Sequence, residues 1–175
     1  ARPQPEDRRR NPDQRAAQQL VLVQEDAAGL VQNATTAQIP GALDDLYAAA
    51  GSVTDLGVKV SGAGTGFKLW APTAQKVSVA VYDTGVDRTT ALLPATFDRA
   101  TGVWVATSAA NLTGKYYRYV VEVFVRGVGL VRNLVTDPYS VSVTTDSRRS
   151  YIADLSSDAL KPAGWDATRV PAKVA

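Results

Sequence analysis

Between residues 115 and 125 the chain reads KYYRYVVEVFV, and eight of these eleven residues are tyrosine, valine or phenylalanine. Those residue types suit a pleated, half-buried surface and disfavour most alternatives. The odd positions Tyr117, Tyr119, Val121, Val123 and Val125 are all apolar or aromatic, so they are expected to face a core. The even positions Tyr116, Arg118, Val120, Glu122 and Phe124 form a mixed outer face. By this pattern Val121 matters for stability, and an exposed Arg118 is expected to matter little.

Neighbouring segments repeat the signal. In GFKLWAPTAQKVSVAVYD (66–83), Phe67 and Leu69 point one way while Lys68 and Trp70 point the other. Pro72 cannot donate a ladder hydrogen bond and ends that strand. Val77, Val79 and Val81 then alternate with Ser78, Ala80 and Tyr82, which predicts a second half-buried strand. Further strands are expected at 56–60, 92–97, 102–107 and 130–136, with a hairpin turn at 126–129. Val141, Val143, Tyr151, Ile152 and Leu155 are expected in the last strands. Seven or eight strands with turn signals between them predict an all-β, immunoglobulin-like antiparallel sandwich.

The region upstream differs. Residues 1–15 hold three prolines, five arginines and three acids, and no large apolar residue. Residues 1–19 are therefore expected to be a linker or disordered, with Arg8-Arg9-Arg10 a solvated charge run. Residues 20–51 read as the end of a preceding domain or a connecting segment. They comprise a hairpin from 20–24 and 30–32 and a helix over 38–50, with Leu43, Leu46 and Tyr47 on one face and Gly51 past its end. Residues 52–158 make the sandwich, and 159–175 a linker onward.

Composition removes several chemistries. There is no cysteine and no histidine, so disulfides, thiolate or histidine metal sites and Ser-His-Asp catalysis are excluded. No metal or other cofactor is expected. The net charge of +2 resides entirely in residues 1–15, leaving 14 basic and 14 acidic residues elsewhere. That balance argues against a nucleic-acid partner. No apolar run approaches the ~20 residues of a membrane helix, so no membrane partner is expected. Asp44 and Asp45 are adjacent on the predicted helix and diverge by about 100°, which is wrong for paired acid–base work. The glycines at 62, 64 and 66 lead into a strand rather than a helix, so they do not form a phosphate loop.

Taken in order, FKLWAPTAQKVSVAVYD (67–83), GVWV (102–105), LTGKYYRYVVEV (112–123), VTDPYS (135–140) and ALKPAGWD (159–166) resemble the accessory domain that precedes the catalytic barrel of bacterial type I pullulanases. That domain is a family-48 carbohydrate-binding module with an early-set immunoglobulin-like fold. QIPGALDDLYAAA (38–50) is similar to the segment before it. The resemblance implies a parent glycoside hydrolase that cleaves α-1,6 branch linkages in pullulan, starch or glycogen-derived dextrins. Two aspartates and a glutamate on a (β/α)₈ barrel would perform that reaction. No residue of this chain matches those catalytic positions, so the chain is expected not to be the catalyst.

Glycogen-binding members of the same module class grip α-glucan with two exposed tryptophans and a lysine. Here the corresponding loop is Thr84-Gly85-Val86-Asp87-Arg88 and the corresponding hairpin Gly127-Val128-Gly129-Leu130, neither with an aromatic residue. Arg118 stands where the lysine would be. A binding role would fall to Arg118, Tyr116, Trp104 and Arg149, with weak affinity for branched α-glucan. A supporting role would instead place Trp70, Tyr139 and Trp165 against the catalytic barrel of the same polypeptide. A third reading, an unrelated adhesion or secretion sandwich, makes the motif series coincidence.

Overall fold

The structure is a computed structural model that describes residues 21–36, 39–125 and 127–169. The expected linker at 1–19 and the expected turn residue Arg126 lie outside these residues, as does the end of the 159–175 segment.

Two strands open the described chain, β1 (Val21–Glu25) and β2 (Val31–Thr36). They pair antiparallel with each other and with neither sheet of the sandwich. Asp26 organises their turn by accepting from the N–H groups of Ala28 and Leu30, both at 2.9 Å. The helix α1 (Pro40–Leu46) follows, with Pro40 in its first turn, where a missing N–H leaves no bond unmade. It is shorter than the predicted 38–50, and residues 48–52 tighten into a 3₁₀ turn. Leu46 is exposed, so the expected apolar face reduces to Tyr47 with Leu43 half-buried. Seven residues without a buried stripe do not sustain a longer helix.

The sandwich strands are β3 (Gly57–Ser61), β4 (Gly64–Trp70), β5 (Lys76–Tyr82), β6 (Thr89–Pro94) and β7 (Thr96–Asp98). They continue with β8 (Val103–Ser108), β9 (Tyr116–Val125), β10 (Gly129–Val135) and the short β11 (Ser150–Tyr151). One sheet has the order β3-β4-β8-β7. The other runs β10-β9-β5-β6, with β11 joined to the start of β9. All these pairings are antiparallel. This is the immunoglobulin-like sandwich that the alternating segments predict.

The core lies between the sheets. Phe67 and Leu69 of β4, Val77, Val79 and Val81 of β5, Trp104 and Ala106 of β8, and Tyr117, Tyr119 and Val121 of β9 are buried together, with Ile152 beside them. Phe67 and Tyr117 meet edge-on at 5.1 Å, and Phe97 lies 5.1 Å from Trp104. Aromatic pairs in such geometries add stabilisation beyond their buried area.

Four details depart from the sequence expectation. First, β5 is buried on both faces: Ser78, Ala80 and Tyr82 are covered as well as the valines. In register Ala80 lies between Leu92 and Arg118, and small residues between long ones lose their access to water. Second, β9 outruns its cover, so Val123 is only half-buried and Val125 is exposed. Third, the expected strand at 92–97 is two strands in different sheets, with Ala95 at the crossing, where its N–H donates to Val77 O at 3.0 Å. Fourth, among the expected last strands only β11 forms, with a lone bridge from Val143 to Ser150; Val141, Val143 and Leu155 are exposed.

Gly102 ties α1's end to the sandwich. Its φ is +70°, and a Cβ there would lie 2.9 Å from Pro72 Cβ and 3.0 Å from the Tyr47 ring. Tyr47 fills the space left by that missing side chain and meets Phe97 edge-on at 6.4 Å.

Candidate functional site

Of the four sequence-predicted sugar contacts, Arg118 and Tyr116 lie on the outer face of β9, Trp104 on β8 and Arg149 just before β11, and the fold commits most of them internally. Arg118 is half-buried. Its Nη2 donates to Leu134 O on β10, and its Nε is buried against the sheet. Arg118 therefore stitches two strands rather than standing free as a cation. Arg149 is held more tightly still. Its guanidinium lies 3.8 Å from the centroid of the Tyr82 ring, and its Nη1 and Nη2 donate to Thr84 O and Asp87 O, each at 2.6 Å. That fork closes the β5–β6 loop.

Trp104 belongs to the other sheet. It is 8% exposed, and its indole N–H donates to Ala71 O at 3.0 Å. Sequence reading places it among the sugar contacts, but a buried ring offers no face for a pyranose to stack on. It lies in the core, away from Arg118 and Tyr116.

Tyr116 is the exception. It is half-buried, leans on Tyr151 at 5.2 Å, and lines an open groove of about 580 Å³. The other walls are Gly85 and Val86 of the β5–β6 loop and residues of the 144–148 segment. This groove is at the start of β9. The hairpin at 127–129 lies at that strand's far end, roughly 30 Å away at about 3.3 Å per residue.

The three residues proposed for a domain interface are differently placed. Trp70 ends β4, and its indole N–H donates to Thr101 O at 3.0 Å, so it is half-buried within the chain's own fold. The stem of Tyr139 packs against Gly57, leaving the residue 42% exposed. Trp165 sits in a short 3₁₀ turn at 165–167 and is 59% exposed. Gly57 pairs with Lys68, two residues from Trp70, so Tyr139 and Trp70 approach the same end of the β3–β4 pair. Trp165 joins them through no hydrogen bond or ring contact among the described residues.

A buried polar knot, not singled out by sequence, fixes this end of the module. Asp137 is 3% exposed. Its Oδ2 accepts from the Tyr117 hydroxyl and its Oδ1 from the Tyr139 N–H at 2.8 Å. Its own N–H donates to Ser150 Oγ at 3.1 Å, and its carbonyl accepts from Ser140 Oγ at 2.7 Å. Burial pushes the Asp137 carboxyl above its usual range, against the opposing pull of the hydrogen bonds from the Tyr117 hydroxyl and the Tyr139 N–H. Burial, with the Asp137 charge second, also pushes the Tyr117 and Tyr119 hydroxyls far above theirs. In sequence Asp137-Pro138 looks only like a chain break. Its partners Tyr117 and Ser150 lie 20 and 13 residues away, beyond any local signal. Asp137 and Ser150 are buried at the centre of the knot, which ties the Asp137–Ser140 turn to β9 and β11.

Comparison with known proteins places these features in a family. Residues 55–140 match the model for carbohydrate-binding module 48 (isoamylase N-terminal domain), and residues 5–45 match that for the pullulanase N2 domain. A pullulanase of Klebsiella pneumoniae is 39% identical over 144 residues, which is 82% of this chain and 13% of that protein. The chloroplastic pullulanase 1 of Arabidopsis thaliana is 37% identical over 149 residues, 85% of this chain and 15% of its own length. The crystal structure of the maltotriose complex of PulA from Klebsiella pneumoniae aligns at a TM-score of 0.82 and 36% identity, covering 95% of this chain and 18% of that one. The chain thus spans 13–15% of the length of these two curated relatives. With two family models in order and the same stretch shared with pullulanases in sequence and structure, the chain belongs to the N-terminal region of the pullulanase family, and residues 55–140 are its family-48 module.

Proposed function

We propose that this chain is the non-catalytic accessory part of an α-1,6-glucan debranching enzyme acting on starch, glycogen or pullulan. Its main work in this reading is to stabilise the neighbouring catalytic barrel. One observation carries the reading: the sugar-contact candidates other than Tyr116 are already committed within the module. Arg118 and Arg149 hold backbone carbonyls, and Trp104 is buried. Ring stacking supplies much of what a sugar site offers, so a module with its aromatic and cationic groups turned to internal use is poorly equipped as an independent glucan anchor. Meanwhile Tyr139 and Trp165 present large apolar surface, the kind that domain contacts cover.

The test is to compare the full-length parent enzyme with a version lacking residues 21–169. The expected result is a markedly shorter half-life of debranching activity on heating, with kcat on a soluble branched dextrin little changed at low temperature. Equal half-lives, combined with lost retention on insoluble starch, would contradict the supporting role and favour an independent glucan anchor.

A further inference from the structure

We propose that the outer face of the β9–β10 hairpin is a contact between two copies of this chain, related by a two-fold axis running along the strands between β9 and β10. In register, Phe124 lies beside Leu130, Glu122 beside Arg132 and Val120 beside Leu134. Alternation along the strands puts all six side chains on the face turned away from the core. Phe124, Leu130 and Leu134 are 47%, 58% and 49% exposed, and Val120 is half-buried. Two apolar rows therefore flank one row of opposite charges. Exposed apolar residues grouped in this way mark a contact surface rather than a solvated one.

The pattern selects a second copy as the occupant, because the face complements itself. A two-fold axis along the strands sets β9 against the partner's β10, and β10 against the partner's β9. Glu122 then faces the partner's Arg132, and Arg132 faces the partner's Glu122. Phe124 meets the partner's Leu130 and Val120 meets the partner's Leu134, so each apolar row packs on an apolar row. Every contact occurs twice, which is the isologous arrangement of most dimers. Two sheets packed face to face with their strands nearly aligned form an ordinary layer. An axis across the strands would instead set each charge against its own kind, so charge also fixes the orientation. Within one copy, Arg132 lies over Glu122 and reaches its Oε1 through Nε at 3.0 Å and Nη2 at 2.6 Å. The arginine side chain is still 69% exposed. The pair can thus widen into a ring of four alternating charges without surrendering its own bond. A net charge of +2 leaves little repulsion between copies. The overlap is two strands from each copy, and Lys76, beside Glu122 on β5, falls past the partner's edge. A contact of that extent, with charges to desolvate, is expected to have a dissociation constant on the order of 100 µM. It shares no residue with Tyr139, Trp70 or Trp165 and does not rest on support of the barrel.

The experiment is sedimentation equilibrium of the 175-residue chain, from about 5 µM to about 500 µM, which brackets the expected constant. The wild type should show a reversible monomer–dimer equilibrium. Arg132→Glu leaves two acids on the face and Glu122→Arg leaves two bases, so each variant alone should associate about tenfold more weakly or worse. An equimolar mixture of the two should associate again to within a few-fold of wild type, since each then faces its opposite. The double variant Glu122→Arg, Arg132→Glu restores the pair within each copy as well, and should also dimerise. It guards against a folding defect in either single change. Phe124→Ser, on an exposed ring, should weaken the dimer about tenfold with the thermal melt unchanged. A wild type that stays monomeric throughout would overturn the proposal. So would single variants that dimerise as well as wild type, which would put the contact elsewhere, edge-to-edge pairing of β10 included. A mixture that associates no better than its components would overturn the two-fold geometry and the proposal with it.

Discussion

At the scale of single residues, Asp137 shows how burial and hydrogen bonding oppose each other in one group. Burial prevails, so its folded pKa lies above the ordinary 3.8. The folded state therefore holds the proton more tightly than the unfolded chain does. The resulting stabilisation is fully present below the unfolded value and is lost as pH rises through the folded one. Half-exposed Asp55 behaves oppositely, because the Lys68 side chain bonded to it lowers its pKa. Urea melts of wild type and Asp137→Asn at pH 4 and pH 7 test the direction of this shift. The wild type should compare better with the variant at pH 4, and a gap moving the other way would mean the carboxylate is stabilised in its charged form. Removing the group altogether, as in Asp137→Ala, strands the Tyr117 hydroxyl and the Tyr139 N–H and should cost about 2–4 kcal/mol. On β9, Val121→Ala should cost about 1–3 kcal/mol through lost burial and a small cavity. The sequence alone suggests that Arg118→Ala is nearly neutral. Its bond to Leu134 O raises the expectation to about 0.5–1.5 kcal/mol, read from the same melts.

At the scale of elements, period-two alternation makes β4, β5 and β9 legible because each sets an apolar row against a shared core. Signals that depend on distant partners were not legible. The sheet change at Ala95 is marked only by Pro94, which breaks the ladder without saying that the two halves join different sheets, and the exposure of Leu46 follows from where Tyr47 must dock. Of the candidate site, Tyr116 could be read from its place on the strand's outer face. The opposing wall at 144–148 could not, because a threonine- and serine-rich loop carries no periodicity. The internal commitment of Arg149 was equally hidden, its acceptors lying 65 and 62 residues away. Gly102 tests the junction of α1 with the sandwich. Gly102→Ala forces a side chain into a left-handed conformation and into Tyr47 and Pro72, so a loss of about 2–4 kcal/mol is expected in urea unfolding. Near-wild-type stability would mean that Tyr47 can move away without penalty.

At the scale of the whole molecule, the sandwich has a continuous core of its own, whereas the β1–β2 hairpin is exposed along its first strand and pairs only with itself. An isolated two-stranded ribbon is marginal in water, so the hairpin should lose amide protection well before β5 and β9 in hydrogen exchange. Equal protection would indicate that the hairpin is as firmly held as the sandwich. The exposed Tyr139 and Trp165 stand in the same relation to the parent polypeptide as the hairpin's apolar residues do, as surface that a neighbour can cover. Differential scanning calorimetry of the full-length enzyme tests that relation most directly, with wild type set beside the Tyr139→Ala, Trp165→Ala double variant. Support of the barrel predicts that module and barrel melt in one transition, which the double variant splits or lowers by several degrees. Two independent transitions in the wild type, with the barrel's unmoved by the substitutions, would contradict it.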